Sequence, residues 1–192
     1  MKKKYLNIIV IIYIVLQSIL GYFIQMVSDE KWIILSYTLV SLAFLFNLVF
    51  ISKSKSFIYT FIALLFTLIA DFFLVVLQEH YLYGVLAFLV VQTFYFLRIL
   101  HEENNVKLKK LHLIIRIFSS FLGLIIPILI LKDNLDLLSI ASVICYINLL
   151  LNVIFSLINL KTDKLGILFS IGLILFSLCD LVVGIYNITD YI

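Results

Sequence analysis

The chain has 192 residues, 65% of them hydrophobic and 13% charged, with a formal net charge of +3. A water-soluble domain is about half apolar and a quarter charged. Much of this surface must therefore face lipid, which excludes a soluble globular enzyme. One Pro and six Gly exclude a loop-rich or low-complexity protein, and the small positive charge points to no nucleic-acid partner.

About 20 consecutive apolar residues cross a bilayer as a helix. In chain order the sequence predicts seven such spans: Tyr5–Val27, Trp32–Ile51, Phe57–Leu77, Tyr83–Leu100, Leu111–Leu131, Leu137–Leu160 and Leu165–Tyr186. The expected fold is an all-α, polytopic transmembrane helix bundle. The connections leave no room for a soluble domain, so residues 1–192 are read as a single transmembrane domain, multi-pass in the cell membrane. The first span follows Lys2, Lys3 and Lys4, but it is too long for a signal-peptide core and lacks a small-residue cleavage site. No eighth span is expected after Asn187–Ile192.

Basic residues set the orientation. With a cytoplasmic N-terminus, Lys2, Lys3, Lys4, Lys53, Lys55, Arg98, Lys107, Lys109, Lys110, Lys161 and Lys164 fall inside, and only Lys31 and Lys132 fall outside. That asymmetry follows the positive-inside rule. Asp29, Glu30, Glu79, Asp133, Asp136 and Asp190 lean outward, and Trp32, Tyr81 and Tyr83 mark the outer boundary. Arg116 reads as an interface anchor that snorkels toward the inner face.

Asp71 and Asp180 are the acids in mid-span. A charged side chain in hydrocarbon is costly and marks a functional position by default. Each lies six residues before the end of its predicted span, roughly 9 Å below the outer boundary at the α-helical rise. Thr67, one turn earlier, is placed to bond to Asp71 or to the backbone. On span four, Gly84, Phe88, Gln92 and Tyr95 share one helical face. On span six, Cys145, Asn148 and Asn152 do the same, with Tyr146 beside them. Gln17 and Gln25 add polar groups to span one. The Asn pair reads first as interhelical hydrogen-bonding groups, and Gly84, Gly166 and Gly172 read as close-packing positions. Cys145 and Cys179 are too few for a disulfide framework or zinc site and read as buried free thiols.

Two carboxyl groups sharing a low-dielectric site divide into one that keeps its proton and one that ionises. General acid/base hydrolysis requires that division. A site in the outer half of a bundle suits a lipid-like substrate. HExxH, GxSxG and Ser-His-Asp arrangements are absent from the sequence, and His80, His101 and His112 lie near span ends, so a metal site is not expected. Proton-binding or transport use of the acid pair is the rival reading, as is a non-catalytic structural pair. Transport fits less well, because Pro127 is remote from both acids and no inverted repeat is visible.

Leu65-Phe66-Thr67-Leu68-Ile69-Ala70-Asp71, Gly84 to Tyr95 with Phe88 and Gln92, and Gly172-Leu-Ile-Leu-Phe176-Ser-Leu-Cys179-Asp180 together resemble the YhhN-like membrane proteins, which include the lysoplasmalogenases. The family patterns run LFSxxGD, aFxxxHxxY and GxxLFxxSD, in the same order. Here Ala70 replaces the Gly, Gln92 the His and Cys179 the Ser. The family's usual last helix has no counterpart, which makes the chain a divergent member. The resemblance implies hydrolysis of the vinyl-ether bond of a lysophospholipid substrate, a lysoplasmalogen, with Asp71 and Asp180 catalytic. Gln92, Tyr95, Tyr146 and Asn148 are then the candidates for substrate contact, and no metal or redox cofactor is needed.

Overall fold

Hydrocarbon offers no water to backbone N–H and C=O groups, so an apolar segment must satisfy them internally, as a helix. The computed structural model describes residues 2–26, 31–52, 54–131, 136–159 and 164–189. These form seven α-helices and no strand: α1 (Lys2–Met26), α2 (Lys31–Ser52), α3 (Lys55–Asp71), α4 (Tyr81–Glu102), α5 (Val106–Leu131), α6 (Leu137–Ile158) and α7 (Lys164–Thr189). Each overlaps one predicted apolar segment. Asp29, Glu30, Lys53, Lys132, Asp133, Lys161, Asp163 and Asp190 lie outside the described residues, as does the side chain of Gln25. Among the described residues, four helices are long and apolar enough to cross a membrane: α3 with its extension to Leu77, α4, α5 and α6.

Helix ends differ from the apolar boundaries where polar side chains cap them. α5 starts five residues earlier than its apolar run, because the Asn105 side-chain oxygen accepts from the Lys107 N–H at 3.0 Å. A cap of this kind satisfies one of the donors that a helix N-terminus leaves unpaired. The Asp136 carboxylate caps α6 in the same way, accepting from the Ser139 N–H at 2.8 Å. Hydrogen bonds from the Ser139 hydroxyl and from its N–H hold this carboxyl below the usual carboxylate range.

One departure was not legible in the sequence. Regular α-helical bonding stops at Asp71, and Phe72–Leu77 continues as a π-helical turn. The chain then reverses within three residues, two of which, Gln78 (φ 53°) and His80 (φ 54°), take the left-handed conformation without being glycine. Leu74 of the π turn packs where a Gly84 side chain would lie: a Cβ there would sit 2.5 Å from Leu74 Cγ.

α4 is the hub. It packs against α3 on one side and α6 on the other, while α2 lies on α3, α1 on α2, and α5 and α7 on α6. The central apolar cluster joins Phe96 and Ile99 of α4 to Phe155 of α6 and Leu173 of α7. α7 also reaches α4 through rings: Phe88 stacks on Phe176 at 5.4 Å, and Tyr95 meets Phe169 and Phe176 edge-on. Polar contacts join α1 to α2, where Gln17 Nε2 donates to Ser41 Oγ at 2.7 Å. The outer faces are apolar and open, as on α5, where Ile117 is 70% exposed. That is the pattern of a surface solvated by lipid chains.

Gly123 seats α5 on α6, since a Cβ there would lie 3.1 Å from Ile144 and 3.2 Å from Ile147. Gly172 is no packing position, because nothing lies within 4 Å of the place a Cβ would occupy. Gly123→Leu should therefore destabilise the protein by about 1–3 kcal/mol through overpacking, and Gly172→Ala should stabilise it by roughly 0.5–1 kcal/mol through helix propensity. Thermal unfolding in detergent reads both, and equal effects at the two sites would contradict this packing. The Asp136 cap carries a pH signature. Its contribution is present above the ordinary carboxylate range and is lost as pH falls through the depressed value. The Tm gap between the native chain and Asp136→Ala should thus be open at pH 7 and closed in strong acid.

Candidate functional site

Asp71 closes the regular part of α3, and Asp180 lies on α7. Each is sixteen residues beyond the lysine that opens its helix, Lys55 and Lys164 respectively, so the two acids sit at matching depth, about 24 Å from that end at the α-helical rise. Both are half-buried. Their carboxyl groups lie within reach of each other's charge. Asp71 Oδ2 accepts a hydrogen bond from Thr38 Oγ1 of α2 at 2.7 Å. Asp180 acts electrostatically on the Tyr95 hydroxyl of α4 and the Cys145 thiol of α6. Side chains of five helices thus converge on the acid pair.

Toward the opposite end from the acids, a polar network crosses the middle of the bundle. Gln92 is fully buried. Asn152 Nδ2 donates to both its backbone oxygen and its Oε1, each at 2.9 Å, and Asn152 Oδ1 accepts from an Arg116 guanidinium N–H at 2.8 Å. The guanidinium lies over the Phe96 ring, 4.3 Å from its centroid. Arg116 also acts on the Cys145 thiol, which links this network to Asp180. Asn148 is buried and accepts from Ser120 Oγ at 3.5 Å. Gln92 Nε2 has no partner, leaving one buried donor available in the network.

Of the predicted contact residues, Tyr95 lies within electrostatic reach of Asp180, whereas Gln92 and Asn148 belong to the amide network farther along the bundle. Tyr146 lies off the buried face of α6 and is 36% exposed. Two expectations are corrected. Arg116 does not snorkel. It is ten residues into α5, and the Asn152 amide and Phe96 ring hold its head inside the bundle. Cys179 is exposed, whereas Cys145 is buried as expected, and both are free thiols. Of its two possible partners Thr67 takes the backbone, donating to Ala63 O at 3.1 Å, and the partner of Asp71 comes from another helix.

The residues missed from sequence are Thr38 and Arg116. Thr38 is one hydroxyl among the polar residues of α2, and no spacing singles it out. A cation well inside an apolar run was the available signal for Arg116. Among the described residues, no group of three His, Cys, Asp or Glu side chains is placed to hold a metal ion. Chemically, the arrangement offers two carboxyl groups within reach of each other's charge, one accepting from a hydroxyl, and, farther along the bundle, a buried cation held by one amide and an aromatic ring. It can bind and pass a proton at the level of the acids.

No curated protein and no solved structure matches the chain. The model of one family, the YhhN family, matches residues 31–191. The matched region contains both acids, the Thr38 donor and the whole Gln92–Asn152–Arg116 network. With that match over most of its length, and with helices apolar and long enough to cross a bilayer, the chain is a membrane protein that belongs to the YhhN family.

Proposed function

We propose that Asp71 and Asp180 are the acid/base pair of a hydrolase acting on the vinyl-ether bond of lysoplasmalogens. The observation that carries this reading is the two carboxyl groups, brought from different helices to one depth within reach of each other's charge. In the reaction, the protonated member of the pair delivers its proton to the vinyl carbon remote from oxygen. The C=C electron pair forms the new C–H bond and leaves an oxocarbenium ion at the carbon attached to oxygen. The ionised member stabilises that cation and takes a proton from the attacking water. The resulting hemiacetal breaks its bond to the glycerol oxygen, which receives a proton, releasing a fatty aldehyde and the glycerophospho-headgroup. Thr38 holds Asp71 in place through its hydrogen bond. Tyr95, within electrostatic reach of Asp180, is the candidate for substrate contact beside the acids, with Gln92, Tyr146 and Asn148 as the further candidates.

The test is aldehyde release by the purified protein from lysoplasmenylethanolamine, with an ordinary acyl lysophospholipid as control. The native chain should act on the first alone. Asp71→Asn and Asp180→Asn should each lower kcat by about 10²–10⁴, the usual worth of general acid/base catalysis, with unchanged size-exclusion behaviour. Full activity in both variants overturns the proposal. No turnover by the native chain, together with higher Tm in the Asn variants, favours a structural acid pair instead.

We also place the chain in the cell membrane, multi-pass, with its N-terminus in the cytoplasm. The charge asymmetry supports this, since Lys107, Lys109 and Lys110 stand at the start of α5, while the connection containing Glu79 carries no Lys or Arg. In a Cys145→Ala, Cys179→Ala background, an impermeant maleimide should label Glu79→Cys in intact cells and Lys109→Cys only after permeabilisation. The opposite pattern overturns the orientation.

A further inference from the structure

A second polar site lies at the lysine-rich end of the bundle, remote from the acids. A cavity of about 120 Å³ opens between the start of α3, the end of α4, the end of α6 and the start of α7. Arg98 and Glu102 of α4, Ser56 of α3, Ser156 and Asn159 from the end of α6, and Ser170 of α7 contribute its polar lining.

The hydrogen bonding of this lining is incomplete. Ser156 and Ser170 spend their hydroxyl protons on backbone carbonyls. Arg98 gives one N–H to Thr60 Oγ1 at 2.8 Å, and its face rests on the Phe169 ring at 3.7 Å. Its Nε is buried with no partner, and it forms no ion pair among the described residues. Glu102 is within reach of its charge. Asn159 has both side-chain polar atoms buried and without a partner. Each unsatisfied buried polar atom costs about 1–3 kcal/mol, more where it is charged. Two of the three, Arg98 Nε and Asn159 Nδ2, are donors, and they call for an occupant that accepts hydrogen bonds.

Chemistry and size narrow the occupant. A guanidinium presents planar donors that match the oxygens of a phosphate or carboxylate. The cavity is far below the roughly 300–1,000 Å³ that holds a drug-sized ligand, so it takes one polar group and not a whole lipid. Basic pockets between helices at the cytoplasmic side of membrane proteins bind lipid head groups in this way. Within the lining, Glu102 offsets the charge of Arg98, which suits a singly charged phosphate better than a polyphosphate.

We infer that this cavity is a binding site for a phosphate group, that of a lipid head group or of free phosphate, held by Arg98 and Asn159 with Ser56 as a further donor. The inference does not depend on which reaction the acids perform. Phe169, beneath Arg98, is eleven residues before Asp180, and Thr60, bonded to Arg98, is eleven residues before Asp71. Both intervals are roughly 16 Å at the helical rise. In a lysophospholipid only the glycerol unit separates the phosphate from the ether oxygen, well short of that distance. A phosphate at Arg98 thus belongs to a second molecule, not to one being cleaved at the acids.

The experiment is a thermal-shift titration of the full chain in a neutral detergent, with native mass spectrometry of retained ligand. The probes are short-chain phosphatidylglycerol, short-chain phosphatidylethanolamine, inorganic phosphate and, as a phosphate-free control, diacylglycerol. A phosphate-bearing probe should raise Tm by several degrees and diacylglycerol should not. Protection by the phospholipids alone identifies a head-group site, and equal protection by inorganic phosphate identifies a free-phosphate site. Either supports the assignment. Arg98→Gln should weaken the apparent affinity at least tenfold, and Asn159→Ala supplies the same test should Arg98→Gln not fold. Protection by diacylglycerol equal to that by phospholipid, or protection unchanged in the folded variants, overturns it.

Discussion

Asn152 holds the bundle together by a constraint that apolar packing does not impose. Its amide group binds α4 through both oxygens of Gln92 and α5 through Arg116. In a membrane one apolar surface is as good as another, so helix contacts need small residues and polar links to fix which faces meet. An interhelical hydrogen bond of this kind is worth about 1 kcal/mol. The larger effect is negative. Rotating α6 by one residue would leave an amide, a carbonyl and a guanidinium unpaired in the interior, each costing more than the bond itself gains. Register is set by what the wrong arrangement would cost.

That same constraint explains what was legible in the sequence. Seven apolar runs became seven helices because backbone satisfaction in lipid admits no other answer. The acids' common depth was read from their distance to the predicted span ends, because rise per residue is fixed, and the counts from Lys55 and Lys164 agree with each other. Which helices touch was not legible, since Leu-rich faces carry no partner information. Hence Thr38 on α2 could not be assigned to Asp71, and Thr67, nearer in sequence, bonds to its own helix. Arg116 was misplaced for a related reason. A long cation near a span end reaches water unless a buried amide and an aromatic ring hold it, and both holders, Asn152 and Phe96, come from other helices.

Polar groups are arranged in levels along the bundle. Arg98 and the small cavity occupy the lysine-rich end, the amide network with Arg116 spans the middle, and the acids lie beyond it. Tyr95 stands between levels, within electrostatic reach of both Arg98 and Asp180. Its ring is clasped by Phe169 and Phe176, so α7 meets α4 through aromatic surface where the charged groups are spaced apart. The acid pair and the two arginines, Arg98 and Arg116, are kept turns apart, which leaves each site free to bind something other than its neighbour.

The π-helical turn after Asp71 has a consequence for how the chain tolerates change. A π turn is a helix holding one residue more than its regular hydrogen-bond frame calls for. Below it, Ala63, Thr67 and Ala70 keep the phase that buries them. Above it, the side chains follow a rotated phase that drops Leu74 onto Gly84. Asp71 stands on the seam between the two frames. The aim of its carboxyl is inherited from the helix beneath, while the segment above packs against α2 and α4. Substitutions in that upper segment can remodel the wall around the acids without re-aiming the acid itself.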